Sequence, residues 1–315
     1  MKILVTGSTG FVGSALIDYF SKMTSVTVVG MVRLIKDIPI YSSIEYRIGE
    51  ICSAGEITIS LNDIDVIIHT AGRAHVMNDT SANPLDEFRR VNTFGTLSLA
   101  RLAADSGVKQ FIFLSSIKVN GERNDLNTPF SKYSIAKPND PYGRSKYEAE
   151  VGLRVLASET TLGVTIIRPT LVYGPGVKGN FNTLVKLLSL RIPLPLKGVN
   201  DNRRSMVGIG NLVSLIVTCV GHPGALNEIF LVSDGNDLST SDLLKLLGNS
   251  IGYPAILFNF PQLILAPLAK LLRMEDRFQR IVHTLIVDIS HTCEQLDWEP
   301  PFSVEHGFKR LRESK

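Results

Sequence analysis

Short apolar runs alternate along the first half of the chain with stretches in which apolar residues recur at helical spacing. Lys2 to Thr6 reads as a strand, and the segment from about Val12 to Lys22 as the helix after it. Val26 to Val32, Ile64 to His69, Gln110 to Ser115 and Val164 to Arg168 are further runs of strand length. Between them lie two long helical segments, Phe88 to Ser106 and Tyr142 to Ser158. Strands that are apolar throughout and separated by helices predict an α/β fold, a doubly wound parallel sheet covered on both faces. After Pro169 the alternation fades and Pro and Gly crowd together (Gly174, Pro175, Gly176, Gly179, Pro193, Pro195, Gly198). The expected organisation is a nucleotide-binding domain over residues 1–170 and a smaller substrate-binding region over 171–315. Some segments of that region return to the sheet, with Ile229 to Val232 expected at its edge.

Composition narrows the classes. The 315 residues are 44% hydrophobic and 20% charged, an ordinary globular balance with enough chain for a substantial core. A formal charge of +3 without a basic cluster argues against nucleic acid and favours a small phosphorylated ligand as the anionic partner. Cys52, Cys219 and Cys293 are far apart with no CxxC, so no disulfide framework or zinc site is indicated, and no metal is expected. The first strand begins at Lys2, which leaves no room for a signal peptide and suggests a cytoplasmic enzyme. Leu246 to Ala269 carries no charge, but Pro254, Pro261, Pro267, Asn249, Asn259 and Gln262 make it a poor membrane span. A buried or surface-lying apolar segment is expected there, with peripheral membrane contact as the alternative.

Two motifs carry chemistry. Gly7-Ser8-Thr9-Gly10-Phe11-Val12-Gly13 follows a strand and opens a helix. In that context Gly7 permits the turn, Gly10 lets backbone approach a pyrophosphate, and Gly13 lets helix and strand pack closely, the pattern of a Rossmann-type dinucleotide site. The helix N-terminus adds free N–H groups and partial positive charge. At the end of the second strand, Val29-Gly30-Met31-Val32-Arg33 has an arginine where an acid would hold the ribose hydroxyls of NAD. Arg33 therefore favours NADP(H), with NAD(H) the alternative.

The second motif is Tyr142-Gly143-Arg144-Ser145-Lys146. A lysine four residues after a tyrosine shares its helix face, where its ammonium can lower the phenol pKa and reach a nicotinamide ribose. Ser116, in the strand-end pair Ser115-Ser116, can hold a substrate oxygen while Tyr142 gives or takes its proton.

With these residues the chain resembles the extended short-chain dehydrogenases/reductases, in particular the sugar-nucleotide epimerase/dehydratase group. The resemblance runs from Thr6-Gly7 to about Phe302 and includes Asp65-Val66-Ile67-Ile68-His69 with Ala71-Gly72, Val91-Asn92-Thr93-Phe94-Gly95-Thr96, and Arg168-Pro169 leading into Val172-Tyr173-Gly174-Pro175-Gly176. It implies that Ser116, Tyr142 and Lys146 are catalytic. It further implies that Gly7, Thr9, Gly10, Phe11, Val12, Gly13, Arg33, Thr70, Ala71, Gly72 and Asn92 line the cofactor, with Glu50 and Ile51 near the adenine and Pro169 near the nicotinamide. Asn180 resembles the group's substrate-loop asparagine, and Arg204, favoured over Arg203, the arginine that grips a nucleotide diphosphate. The implied partners are a UDP-sugar and a second copy of the chain, paired through the helices at Phe88–Ser106 and Tyr142–Ser158.

Within the group, His75-Val76-Met77, Ser115-Ser116-Ile117-Lys118-Val119-Asn120-Gly121 and Val177-Lys178-Gly179-Asn180-Phe181 resemble bacterial surface-polysaccharide enzymes. These are reductases of UDP-4-keto-6-deoxy-N-acetylhexosamines and proteins like UDP-glucose 4-epimerase. Lys118 replaces a small hydroxyl residue common two positions after the serine, a departure expected to alter the sugar pocket. A dehydratase lacks support, because Ile117-Lys118 offers no acid–base carboxylates beside the serine. The leading expectation is NADPH-dependent reduction of a 4-keto sugar. A UDP-hexose 4-epimerase with tightly held NAD is the alternative, and a non-catalytic NADP-binding regulator is the reading from another class.

Overall fold

The computed structural model describes residues 1–38, 43–51, 59–74, 83–177, 180–261, 267, 270 and 275–313. Its centre is a seven-stranded sheet in which every neighbouring pair is parallel. In chain order the strands are β1 (Lys2–Thr6), β2 (Thr27–Val32), β3 (Glu45–Ile48), β4 (Val66–His69), β5 (Gln110–Leu114), β6 (Gly163–Pro169) and, after a short parallel pair β7 (Leu171–Tyr173) and β8 (Met206–Gly208), β9 (Ile229–Val232). The spatial order is β3-β2-β1-β4-β5-β6-β9, so the winding reverses between β1 and β4. Such a reversal opens a crevice at the carboxyl ends of the strands, where parallel α/β sheets bind ligands.

Alternation along each strand sends successive side chains to opposite faces. On β1, Ile3 and Val5 join one fully buried cluster and Leu4 the other. The first face is covered by α1 (Phe11–Phe20) and α6 (Ile209–Cys219), which contribute Leu16, Ile17, Leu212, Leu215 and Ile216. The second is covered by α3 (Thr96–Asp105) and α4 (Pro141–Glu159), through Leu99, Ala100, Ala103, Ala149, Leu153 and Leu156. Each fully buried leucine there contributes about 1.5–3 kcal/mol by removal from water. A third cluster, around Tyr173, Phe181, Leu244, Leu247 and Phe308, is drawn from residues after Leu171. Residues beyond 171 serve the sheet as well, since β9 extends it and Trp298 packs in the first cluster.

Two features differ from the sequence pattern. β3 is short, polar and at the edge, so it has no buried run to announce it. The helix expected from Phe88 starts at Pro84 (α2, Pro84–Phe88), and Arg89–Gly95 is wound as a π-helix before α3 begins. A π-turn re-aims side chains within a continuous helix and favours functional positions. Here it carries Asn92 and Thr93 onto α4. In the uncharged stretch, Leu247 and Ile251 are buried in α7 (Thr240–Ile251), Ile256 and Phe258 are 49% and 43% exposed, and residues 262–266, 268 and 269, Leu265 among them, lie outside the described residues. Among the described residues no helix is long and apolar enough to cross a membrane.

Candidate active site

The residues singled out in the sequence gather at one edge of the sheet. Gly7 follows β1, Arg33 follows β2, Glu50 and Ile51 lie just past β3, Thr70 to Gly72 follow β4, Ser116 lies two residues past β5, and Pro169 ends β6. Six parallel strands thus deliver them to their carboxyl ends. Asn180 opens α5 (Asn180–Ser189), but its side chain, like Lys178, Gly179 and the His75-Val76-Met77 string, lies outside the described residues.

The glycine turn is dictated by contact. Gly7 has φ +67°, and a Cβ there would stand 2.7 Å from the Ala71 nitrogen. A Cβ on Gly13 would meet the Gly7 carbonyl oxygen at 2.0 Å, which no rearrangement of side chains could relieve. The Gly10 N–H donates to Gly7 O (2.8 Å), and Gly10 is the N-cap residue of α1 with no side chain over the helix end. Ser8 is buried and its hydroxyl donates to Met31 O (2.7 Å), so the loop is fastened to β2 from below. Thr9 and Gly10 remain exposed beside the open helix end, while Phe11 and Val12 are half-buried. A backbone cradle kept free of side chains, over an open helix N-terminus, fits a pyrophosphate. Arg33 and Glu50 are exposed at the rim, and Ile51 packs against the Gly95 position.

His69 closes the crevice floor. One ring nitrogen lies 2.7 Å from Thr6 Oγ1 and the other 2.9 Å from Thr96 Oγ1, tying β1, β4 and α3 together. Burial, reinforced by the positive charge of Lys146, lowers its pKa to about 3, so the ring is neutral at physiological pH. Its role is structural. Thr70 donates its hydroxyl to Thr6 O (2.7 Å).

Asn92 sits at the junction of the two motifs. It accepts from the Arg73 N–H (2.8 Å), donates to Arg73 O (3.1 Å) and to Ser145 Oγ (3.0 Å), and is fully buried. Thr93 donates to Ser145 O at 2.8 Å. A Cβ on Gly72 would lie 3.1 Å from Asn92 Oδ1 and 3.4 Å from Lys146 Nζ. The end of β4, the π-turn and α4 therefore meet at Lys146.

Lys146 Nζ donates to Leu114 O (2.8 Å) and stands 4.5 Å from the centre of the Phe113 ring. Burial lowers its pKa to about 7, against the opposing pull of Glu150. Tyr142, four residues earlier, contacts the Phe88 ring edge-on and hydrogen-bonds the Ser116 side chain. Its phenol is pushed up to about 12, first by burial and then by the charge of Asp140, with the Ser116 bond pulling the other way. The expected lowering by Lys146 is therefore not what the structure shows. Burial dominates, and the ammonium spends its hydrogen bond on the Leu114 carbonyl.

Beneath this layer lies a buried charge network that the motifs did not reveal. Glu150 accepts from Ser115 Oγ (2.5 Å) and from Arg168 Nε (3.0 Å) and Arg168 Nη2 (2.5 Å), while Arg168 Nη1 donates to Asn120 Oδ1 (3.1 Å). The available signal was Glu150, one helical turn after Lys146 and on the same face. Lys118, expected to alter the sugar pocket, pairs with Asp140 and with Glu122 (3.2 Å).

On the substrate side the two arginines separate. Arg203 Nη1 donates to Asn200 O (2.5 Å) and Asn202 O (2.9 Å), turning back onto its own loop. Arg204 pairs through its backbone with Leu238 and Leu285, and its guanidinium reaches His283 O (3.4 Å) beside a recess lined by Asn124, Asp201, Asn202, His283 and Thr284. Leu285 packs in a cluster with Ile117, the residue after Ser116. Arg204 is thus joined to the Ser116 turn through the backbone bridge to Leu285 and the apolar cluster that Leu285 shares with Ile117. Among the described residues no group of His, Cys, Asp and Glu side chains could hold a metal ion.

A parallel sheet with a glycine turn at its switch point and a Ser–Tyr–Lys set beside it defines a dinucleotide-binding protein with acid–base groups at hand. The chain belongs to the NAD dependent epimerase/dehydratase family, whose sequence model matches residues 3–233. It is 45% identical over 315 residues to a UDP-glucose 4-epimerase of Vibrio cholerae, covering 99% of this chain and 95% of that one. It is also 28% identical over 255 residues to an N-acetyl-α-D-glucosaminyl-diphospho-ditrans,octacis-undecaprenol 4-epimerase of Escherichia coli O157:H7, over 79% of this chain and 72% of the relative. Among solved structures, the fold is shared with UDP-glucose 4-epimerase of Thermotoga maritima with UDP-glucose (TM-score 0.75, 24% identity, 100% and 98% of the two chains covered). It is shared too with UDP-glucuronic acid 4-epimerase of Bacillus cereus in complex with NAD (TM-score 0.78, 21% identity, 100% and 98% covered).

Proposed function

We propose that this protein inverts the configuration at C4 of a UDP-hexose, using tightly held NAD. The observation that carries this reading is the meeting of Gly72, Asn92, Lys146 and the Ser116–Tyr142 pair at the crevice mouth, in a chain so similar along its whole length to a UDP-glucose 4-epimerase. The cradle at Gly7, Gly10 and Gly13 would hold the pyrophosphate, with Thr9, Phe11 and Val12 beside it, Thr70, Ala71 and Gly72 along the crevice, Glu50 and Ile51 toward the adenine and Pro169 toward the nicotinamide. The nicotinamide, when bound, supplies a reversible hydride acceptor for C4.

The protein's own share is proton handling and orientation. Ser116 holds the C4 oxygen, and Tyr142 removes its proton as the carbonyl forms and returns it as the alcohol is remade. Tyr142 rests protonated, so positive charge beside its phenol is needed on binding to bring it into working range, and we assign that part to Lys146, one helical turn further along α4. Arg204 offers its guanidinium to the diphosphate. Because both faces of C4 must be served, the sugar turns over while the diphosphate stays anchored.

Arg33 favours the second reading, consumption of NADPH by a reductase of a UDP-4-keto sugar. It is exposed one residue beyond β2, where a 2′-phosphate would lie. The two readings separate on incubation with UDP-glucose or UDP-N-acetylglucosamine and no added cofactor, followed by proton NMR. Formation of the 4-epimer supports the first. No epimer, with stoichiometric NADPH loss on adding a UDP-4-keto-6-deoxy-N-acetylhexosamine, replaces it with the second.

The assembly proposed is a homodimer through α4 and the helix before it. Tyr147, Val151 and Val155 form an exposed stripe at successive turns of α4, and Phe94 is 52% exposed nearby in sequence to α3. Sedimentation equilibrium checks it, and a monomer at micromolar concentration would refute it.

A further inference from the structure

Lys118 touches Ser116 on one side and, on the other, the turn of α4 that carries Tyr142. Its backbone N–H donates to Ser116 Oγ (3.2 Å), making it part of the turn that orients the serine. Its ammonium pairs with Asp140, and Glu122 lies 3.2 Å away as a second partner. Asp140 is the N-cap residue of α4, where its Oδ1 accepts from the Gly143 N–H at 2.6 Å. Gly143 lies so close to residue 118 that a Cβ there would stand 2.8 Å from the Lys118 carbonyl oxygen. The first turn of α4, which carries Tyr142, is therefore pressed against the Ser116 turn and tied to it by one side chain. The pair is partly shielded, with Lys118 34% and Asp140 28% exposed, so water screens it less than a surface pair.

Two hydroxyls that must reach one substrate oxygen tolerate little error in their separation, because misplacement by about 1 Å can cost two orders of magnitude in rate. Ser116 sits on a short 3-10 turn and Tyr142 on the frayable end of a helix. Their backbones are separate in sequence, and the Lys118–Asp140 contact joins them directly.

We propose that Lys118 is a positioning residue, a clip that fixes the distance between the Ser116 and Tyr142 hydroxyls by holding the cap of α4 to the serine turn. The assignment rests on the reading of those hydroxyls as the proton-transfer pair. It replaces the expectation that Lys118 shapes the sugar pocket, and the two make opposite kinetic forecasts. A sugar contact alters KM, whereas a clip alters kcat.

The test compares Lys118→Met and Lys118→Arg with the unaltered protein in steady-state epimerisation and in amide hydrogen exchange over residues 140–146. For Lys118→Met we expect kcat to fall about tenfold with KM unchanged, and exchange over that segment to quicken about tenfold, as loss of one part-buried charge-assisted bond implies. Lys118→Arg should recover most of both. Asp140→Asn keeps an acceptor for Gly143 but removes the charge, so adding Lys118→Met to it should cost little more. Unchanged exchange in Lys118→Met, a rise in KM at constant kcat, or full additivity with Asp140→Asn would each overturn the proposal. If the unaltered protein shows no epimerisation, the functional reading fails separately, and the exchange data still decide whether the clip exists.

Discussion

Replacing Glu150 by Gln exposes how much the layer beneath the crevice depends on paired charge. Glu150 and Arg168 are 2% and 4% exposed, and the carboxylate accepts three hydrogen bonds, two of them from the guanidinium. The amide oxygen of the variant can still accept but cannot neutralise Arg168, which would stay buried with only uncharged partners, that amide and Asn120. Breaking one side of a buried pair costs about 3–5 kcal/mol, a fifth or more of the roughly 5–15 kcal/mol that holds a domain folded. Arg168→Met should cost a similar amount by stranding the carboxylate. Removing both charges, in Glu150→Leu with Arg168→Met, should return most of the loss and leave the double variant less damaged than either single one, since an apolar pair needs no desolvation and only Ser115 and Asn120 lose a partner. Urea unfolding of the four proteins measures the cycle. Single variants within about 1 kcal/mol of the parent, or a double variant as damaged as the sum of the singles, would refute the reasoning. The same Glu150→Gln change removes the charge that holds Lys146 up, so an alkaline limb of turnover governed by Lys146 should move to lower pH.

Other outcomes follow from contacts already described. Gly13→Ala should lose bound NAD and melt earlier, because its methyl group would meet the Gly7 carbonyl at 2.0 Å; a variant that purifies with full NAD content would contradict the cradle. Lys146 has its pKa depressed to about 7 from an unfolded value near 10.5, so its contribution to stability is present above pH ~10.5 and is lost as pH falls toward ~7. Lys146→Met should therefore gain stability relative to the parent across that descent, which denaturant melts at stepwise pH would reveal; parallel curves would show that the amine is not desolvated. Arg33→Ala should leave NAD content untouched if the protein is an NAD-retaining epimerase, and cofactor released on denaturation reads this directly. Tyr142→Phe should abolish nearly all turnover while keeping the bound cofactor, and loss of both would assign Tyr142 a structural role.

Much of this architecture was legible because parallel strands buried on both faces must be apolar throughout. β1 was read to the residue, and β2, β4, β5 and β6 to within two residues at either end. The polar edge strand Glu45–Ile48 gave no such run. The π-turn at Arg89–Gly95 was hidden because its cause is tertiary, the hydrogen bonds of Asn92 and Thr93 to Ser145. Glycines and the Tyr142–Lys146 spacing were readable since local geometry demands them. The Glu150–Arg168 pair and the Lys118–Asp140 contact join residues 18 and 22 positions apart, and only the packing of α4 against β6 and the serine turn brings them together. The direction of the Tyr142 pKa turned on burial, which spacing alone does not report.

The central claim is that C4 is inverted by taking its hydrogen away and returning the same one within a closed site. The measurement that tests it most directly uses UDP-glucose carrying deuterium at C4, incubated with the purified protein in ordinary water without added cofactor, and follows the product by NMR and mass spectrometry. The account predicts UDP-galactose that retains the deuterium at C4. Epimer formed with loss of deuterium to solvent would contradict it, because the carbon-bound hydrogen would then have left as an exchangeable proton.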